Sequence, residues 1–124
     1  MKNKIFLISG PPGAGKSTLA KSIAKLFDKS IHIECDYLYN MVQGGNKKPW
    51  EEGASKLFTL MYRTVAAQAT IYLQAGFTVT ADYVWSPSDV CSIVEEIRQD
   101  PSFHPIFLLP EKDIKLKFCK SSQS

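Results

Sequence analysis

The chain has 124 residues, 44% hydrophobic and 11% aromatic, enough for one packed core and too apolar for a disordered or fibrous protein. Fifteen basic against twelve acidic side chains leave a net charge of +3, too mild to imply a nucleic-acid-wrapping surface. No apolar run exceeds about six residues, far below the roughly 20 that span a bilayer. The N-terminus has no signal-peptide pattern, so a cytoplasmic location without membrane association is expected. Cys35, Cys91 and Cys119 are widely spaced and lack a C-x-x-C pair, and they read as free thiols.

Ile5-Phe6-Leu7-Ile8 is a continuous β-favouring run, as in a strand buried on both faces of a parallel sheet. Gly10-Pro11-Pro12-Gly13-Ala14-Gly15 cannot continue it, and a helical period follows from Lys16 to Phe27. Ile31-His32-Ile33-Glu34 alternates as a second strand near an edge. Residues Cys35 to Pro49 form the longest irregular stretch, with a Gly44-Gly45 turn. Pro49 opens a long helix with Glu51 and Glu52 at its positive end, and Gly76 closes it. Phe77 to Ala81 is the third strand, ended by Asp82. Ser86 reads as an N-cap with Pro87 at the first helical position, and Asp100-Pro101 stops that helix. Pro105 to Leu109 is the fourth strand, and residues 111–124 hold a short basic helix and a polar tail. The alternation predicts one α/β domain over residues 1–124 with a doubly wound, mainly parallel sheet.

Gly10 to Ser17 fits G-x-x-x-x-G-K-[ST] without a mismatch. A chance match in a chain this long has a probability on the order of 0.5%. The match lies between a predicted strand and a predicted helix, as phosphate binding requires. Glycines let the loop curl so that successive backbone N–H groups of Gly10, Pro11, Pro12, Gly13, Ala14 and Gly15 (prolines excepted) point inward around an anion. The helix adds its positive end. Lys16 reaches β- and γ-phosphate oxygens, Ser17 offers a hydroxyl to Mg²⁺, and Thr18 adds a donor to the α-phosphate. The bland alternative is a glycine-rich turn that binds nothing.

Two carboxylates follow at the rim where α/β sheets bind ligands. Asp82 can hold Mg²⁺ through water, or be a simple strand-end turn residue. Asp36 can orient an acceptor hydroxyl and take its proton, or serve as an Asx-turn or cap. Glu34 could share either role but lies inside the predicted strand and ranks below them. Arg63 either clamps an anionic substrate or is a solvated helix-surface arginine. Trp50, Tyr37 and Tyr39 either wall an acceptor pocket or simply pack. His32 reads as a structural histidine, and Lys112, Lys115, Lys117 and Lys120 as a solvated face.

The segments GPPGAGKSTLAKSIA, IHIECDYL, GGNKKPWEEG and GFTVTADYVW resemble the small P-loop kinases, the group holding shikimate and gluconate kinases, chloramphenicol phosphotransferase and zeta-toxin-like proteins. The similarity spans roughly residues 2–110. It implies a three-layer α/β/α sandwich, ATP and Mg²⁺, and γ-phosphate transfer to a small-molecule or nucleotide hydroxyl. In that group the sheet order is 2-3-1-4-5. Lys16 and Ser17 match the phosphate and Mg²⁺ residues, Asp36 the acidic residue that meets the acceptor, and Asp82 the carboxylate ending the third strand. The group continues with an arginine-bearing lid, a fifth strand and a helix, which fourteen residues cannot hold. Order 2-3-1-4 without the fifth strand is therefore expected, with weak or absent catalysis as the alternative function. An uncovered fourth-strand edge would invite pairing with a second copy.

Overall fold

The computed structural model describes residues 3–11, 13–83, 85–97 and 101–108. Four strands, β1 (Lys4–Ser9), β2 (Ser30–Glu34), β3 (Thr78–Tyr83) and β4 (Ser102–Phe107), form one sheet in the order β2-β3-β1-β4. All pairings are parallel. The expected order and the α/β class are both realised. The helices are α1 (Lys16–Ala24), α2 (Cys35–Asn40), α3 (Ala54–Gln74) and α4 (Pro87–Glu96).

Strand alternation sorts the sheet residues into two faces. Ile5 and Leu7 stand in register with Val79 and Ala81, which stand in register with Ile31 and Ile33. These residues pack with Met61, Val65, Ala66, Ala69 and Leu73 of α3 and Val90, Ile93 and Val94 of α4. The opposite face carries Phe6, Ile8, Thr78, Thr80 and Asp82, with Ser30, His32 and Glu34 beside them, and α1 covers it through buried Ala20 and Ala24. One face is therefore an aliphatic core and the other holds most of the polar sheet positions.

Several boundaries differ from the sequence reading, each for a local reason. Helix α1 stops at Ala24 because the Leu26 and Phe27 N–H groups tighten onto Ile23 and Ala24 carbonyls. Residues 35–40 are helical rather than irregular, α2 starting directly at the end of β2. Helix α3 opens at Ala54, not Pro49, because Gly53 takes φ 89° and Glu51 closes a turn onto the Lys48 N–H at 2.6 Å. Gly76, at φ 89°, does end it as expected. Strand β3 runs two residues longer than its predicted end, so Asp82 lies inside it. Helix α4 has the expected Ser86 cap with Pro87 behind it, and ends at Glu96. Strand β4 begins at Ser102, three residues before the predicted start at Pro105.

Pro105 is tolerated because of its orientation. Ser102 and Leu108 donate N–H bonds to Asn3 and Ser9 of the β1 side at 2.8 and 2.7 Å. Residues of even number therefore face β1, and Pro105 turns its missing donor outward.

Candidate active site around the glycine-rich loop

Strand β1 delivers the chain to the loop, and the loop delivers it to α1. Gly13 and Gly15 take φ 82° and 91°, conformations that L side chains rarely adopt. Gly15 is the N-cap of α1 and accepts the Leu19 N–H at 2.9 Å. The Ala14 N–H closes onto the Pro11 carbonyl at 3.2 Å, and Lys16 Nζ reaches back to the same carbonyl at 3.3 Å. The ammonium is thus folded over its own loop, beside the N-terminal dipole end of α1. Thr18 sits exposed in the first turn. Pro12 lies outside the described residues.

The start of the loop is fixed from two sides. Ser9 Oγ is buried, bonds to the Trp85 carbonyl and accepts the Trp85 N–H at 2.9 Å. Gly10 lies against β4, where an added Cβ would come within 2.8 Å of the Leu108 carbonyl oxygen. The strand ends and the loop therefore move as one piece.

The carboxylates arrange themselves differently from expectation. Ser17 Oγ donates to Glu34 Oε2 at 3.5 Å, so the strand residue ranked lower is the one that meets the loop. Asp82 stands in register with Glu34 and is 7% exposed, with its Oδ1 bonded to Nε2 of His32. His32 is the structural histidine that the strand position implied. Asp36 lies exposed in the first turn of α2, two residues beyond Glu34.

Beside Asp36 is a set of phenols. Burial, then Asp36, Tyr39, Cys35 and Asp89, push the Tyr83 hydroxyl up to about 12. Tyr62 is pushed up further, first by burial and then by its hydrogen bond to Asp89. Tyr39 stacks on Phe58 with centroids 5.3 Å apart, and its Oη is buried without a partner among the described residues. Tyr39 is thus a packed side chain, whereas Tyr37 and Trp50 are exposed, with Lys48 over the Trp50 ring. Sequence reasoning passed over Tyr62, Tyr83 and Asp89. Only the packing of α3, the end of β3 and the start of α4 brings them together.

Arg63 is not brought to the loop. It lies roughly 13 Å along α3 from the rim-side end, and its Nε faces Glu96 at the far end of α4, 3.9 Å away. Both side chains are largely exposed. The solvated-surface alternative is the one realised. Cys35 is a buried free thiol, pushed well up by burial and then by Asp82 and Asp36, which leaves it inert. Cys91 is disulfide-bonded, which corrects the free-thiol reading there. Cys119 and Lys112, Lys115, Lys117 and Lys120 lie outside the described residues. Among the described residues no helix is long and apolar enough to cross a membrane.

The strand, loop and helix just described coincide with a family match over residues 5–88, to the AAA domain model AAA_33. The chain belongs to this family. Two Lon proteases are 28% identical to it, one from Cytophaga hutchinsonii over the whole chain and one from Porphyromonas gingivalis over 87% of it. The chain spans only 16% and 13% of the length of those relatives. Similar folds occur in a Pnkp1/Rnl/Hen1 complex (TM-score 0.65, 16% identity, 96% of this chain and 42% of that one). They also occur in the Mycobacterium tuberculosis APS kinase CysC (0.60, 18%, 88% and 77%) and a sugar kinase from Janibacter (0.61, 17%, 87% and 60%). The domain has a P-loop kinase-like fold.

Proposed function

We propose that this domain binds ATP with Mg²⁺ on the Gly10–Thr18 loop and transfers the γ-phosphate to a hydroxyl presented beside Asp36. The observation that carries the proposal is the loop itself. Two left-handed glycines and an N-terminal lysine lie at the carboxyl end of a parallel sheet, with three carboxylates on the same rim. The kinase folds similar to it support the same reading.

The Mg²⁺ that such nucleotides carry fits the residues present. Ser17 supplies a hydroxyl with the Glu34 carboxylate beside it, and Asp82 stands in register with Glu34 on the same sheet face, hard oxygen donors of the kind this cation prefers. When bound it would neutralise charge on the β- and γ-phosphates. The chain's own part is positioning. Loop N–H groups and Lys16 hold the phosphate oxygens, leaving the γ-phosphorus facing the rim. Asp36 orients the acceptor hydroxyl and takes its proton as the new P–O bond forms and the bond to the β-phosphate oxygen breaks. Tyr83 lies within electrostatic reach of Asp36 and Tyr39, so the phenols belong to the surroundings of that position.

Binding without useful turnover is the second reading, and one observation favours it. Arg63, the only arginine among the described residues, is paired with Glu96 away from the loop. Arginine fingers are worth about 10³–10⁵ in rate where they exist. Thermal melts with ATP and Mg²⁺ separate binding from none. At 100-fold over Kd the protein should gain about 2.7 kcal/mol, and Lys16→Ala should lose that gain. ATP consumption over a panel of sugars, nucleosides and antibiotics, with Asp36→Asn as control, then separates turnover from binding. Equal melting shifts in wild type and Lys16→Ala would defeat the proposal.

A further inference from the structure

We infer that the nucleotide's divalent cation is steadied by Glu34 rather than by the strand-end Asp82, and that His32 is a positioning residue that withholds Asp82 from the cation. This inference rests on the proposed ATP-Mg²⁺ binding and assigns the carboxylates within it.

Three observations lead there. The hydroxyl of Ser17, the one side chain of the loop suited to magnesium, faces Glu34 Oε2 and makes no hydrogen bond to Asp82. Asp82, although on the same face of the sheet, has its Oδ1 taken by the imidazole of His32. Both of those side chains are close to fully enclosed, at 12% and 9% exposure, under α1. Glu34 is less enclosed and one methylene longer, and it extends from the edge strand toward the first turn of α1.

The spacing is also right for a shared cation. Magnesium holds oxygens at about 2.0–2.1 Å in octahedral geometry, so neighbouring ligands stand roughly 2.9 Å apart. Ser17 Oγ and Glu34 Oε2 are 3.5 Å apart. Glutamate side-chain rotation alone can close that gap, directly or with a water kept in the coordination shell. Asp82 keeps a second carboxylate oxygen, but its side chain is 9% exposed and oriented through Oδ1 by His32, so turning it toward Ser17 would disturb that bond, whereas Glu34 already meets Ser17. The alternation I-H-I-E thus has a purpose: positions 32 and 34 share one face, the first to hold a carboxylate and the second to be one.

The test compares ATP affinity with magnesium and with EDTA by calorimetry, using the full chain and its variants. Glu34→Gln should reduce the magnesium-to-EDTA affinity ratio by tenfold or more, and Asp82→Asn by less than threefold. His32→Ala added to Glu34→Gln should restore part of the lost ratio, because Asp82 is then free to take the cation. His32→Gln in the same background should not, since its amide reaches the position of Nε2 and can still donate to Asp82. A merely structural histidine would produce no such recovery. The reverse order, with Asp82→Asn abolishing the magnesium dependence and Glu34→Gln retaining it, overturns the inference, as does a double variant without recovery. If Asp82→Asn does not fold, the three variants at 32 and 34 still decide. A wild-type protein that binds no ATP in either buffer refutes the functional proposal itself. One that binds ATP equally in both buffers refutes only the assignment of the cation.

Discussion

Replacing Gly10 with alanine probes the joint between the loop and the sheet. The added Cβ would lie 2.8 Å from the Leu108 carbonyl oxygen and 3.1 Å from Leu108 Cβ. Carbon–oxygen contacts settle near about 3.3–3.6 Å, so backbone must move by roughly 0.5–0.8 Å. The backbone in question is anchored by the 2.7 Å bond from the Leu108 N–H to the Ser9 carbonyl, and Ser9 is held in turn by Trp85. Overpacking of this kind costs about 1–3 kcal/mol. A glycine-to-alanine change at a relaxed site returns about 0.4–1 kcal/mol through the unfolded chain. The net expectation is a loss of about 1–2 kcal/mol, or roughly 3–8 °C in melting temperature. Gly44 is the control: it has open space around it and no positive φ, so Gly44→Ala should be neutral or slightly stabilising. Melting curves of the two variants carry opposite expected signs. A Gly10→Ala protein that melts at or above wild type would show that the loop and β4 are not joined as described.

Other expectations follow from single contacts. Ser86→Ala removes a reciprocal cap, Asp89 N–H to Ser86 Oγ at 3.2 Å and Ser86 N–H to Asp89 Oδ2 at 2.9 Å, and should cost about 1 kcal/mol in chemical denaturation. Arg63→Ala should change stability by less than about 0.5 kcal/mol and leave nucleotide-induced melting shifts intact, because its 3.9 Å contact to Glu96 is solvent-exposed. Tyr83 ionises near 12 in the fold against about 10 in an unfolded chain, so its contribution is complete below pH 10 and is lost as pH rises toward 12. Tyr83→Phe should therefore flatten the alkaline fall in stability. In an ultraviolet titration, Tyr62 and Tyr83 should ionise above the ordinary tyrosine range, and Tyr83→Phe should remove one of those late steps.

What could be read from the sequence was chemistry confined to neighbouring residues. The glycine-lysine-serine loop, the Ser86-Pro87 helix start and the Gly76 stop each depend on backbone conformations that their own side chains dictate. The parallel α/β class followed from alternation and right-handed crossovers, and the strand order from the resemblance to the small P-loop kinases. What escaped was set across the fold. Glu34 gains its place from α1 packing over β2, and Asp82 loses its freedom to a histidine fifty residues earlier. Tyr83, beside Asp36 and Asp89, and Tyr62, bonded to Asp89, come from separate elements that meet only in space. Helix α3 misled at its start because Glu51 looks like a first-turn acid and is instead bonded to the Lys48 N–H. Proline at position 105 looked like a strand start, since the sequence does not say which side of a strand its nitrogen faces.

That orientation bears on association through the sheet edge, which the fourth strand seemed to invite. Along the outward side of β4 the groups on offer are those of Phe103, Pro105 and Phe107, and no strand among the described residues covers them. A strand laid along this edge would find three carbonyls but only two N–H donors, with the gap at the centre. Proline on an edge is a known means of discouraging such pairing. Pairing of two copies here would thus give up a ladder bond worth about 1 kcal/mol at the middle of each strand. If the edge is held monomeric by this residue, Pro105→Thr, which restores the donor and favours strand, should shift the protein toward dimer in sedimentation at raised concentration. An unchanged sedimentation profile would show that something other than the missing N–H protects the edge.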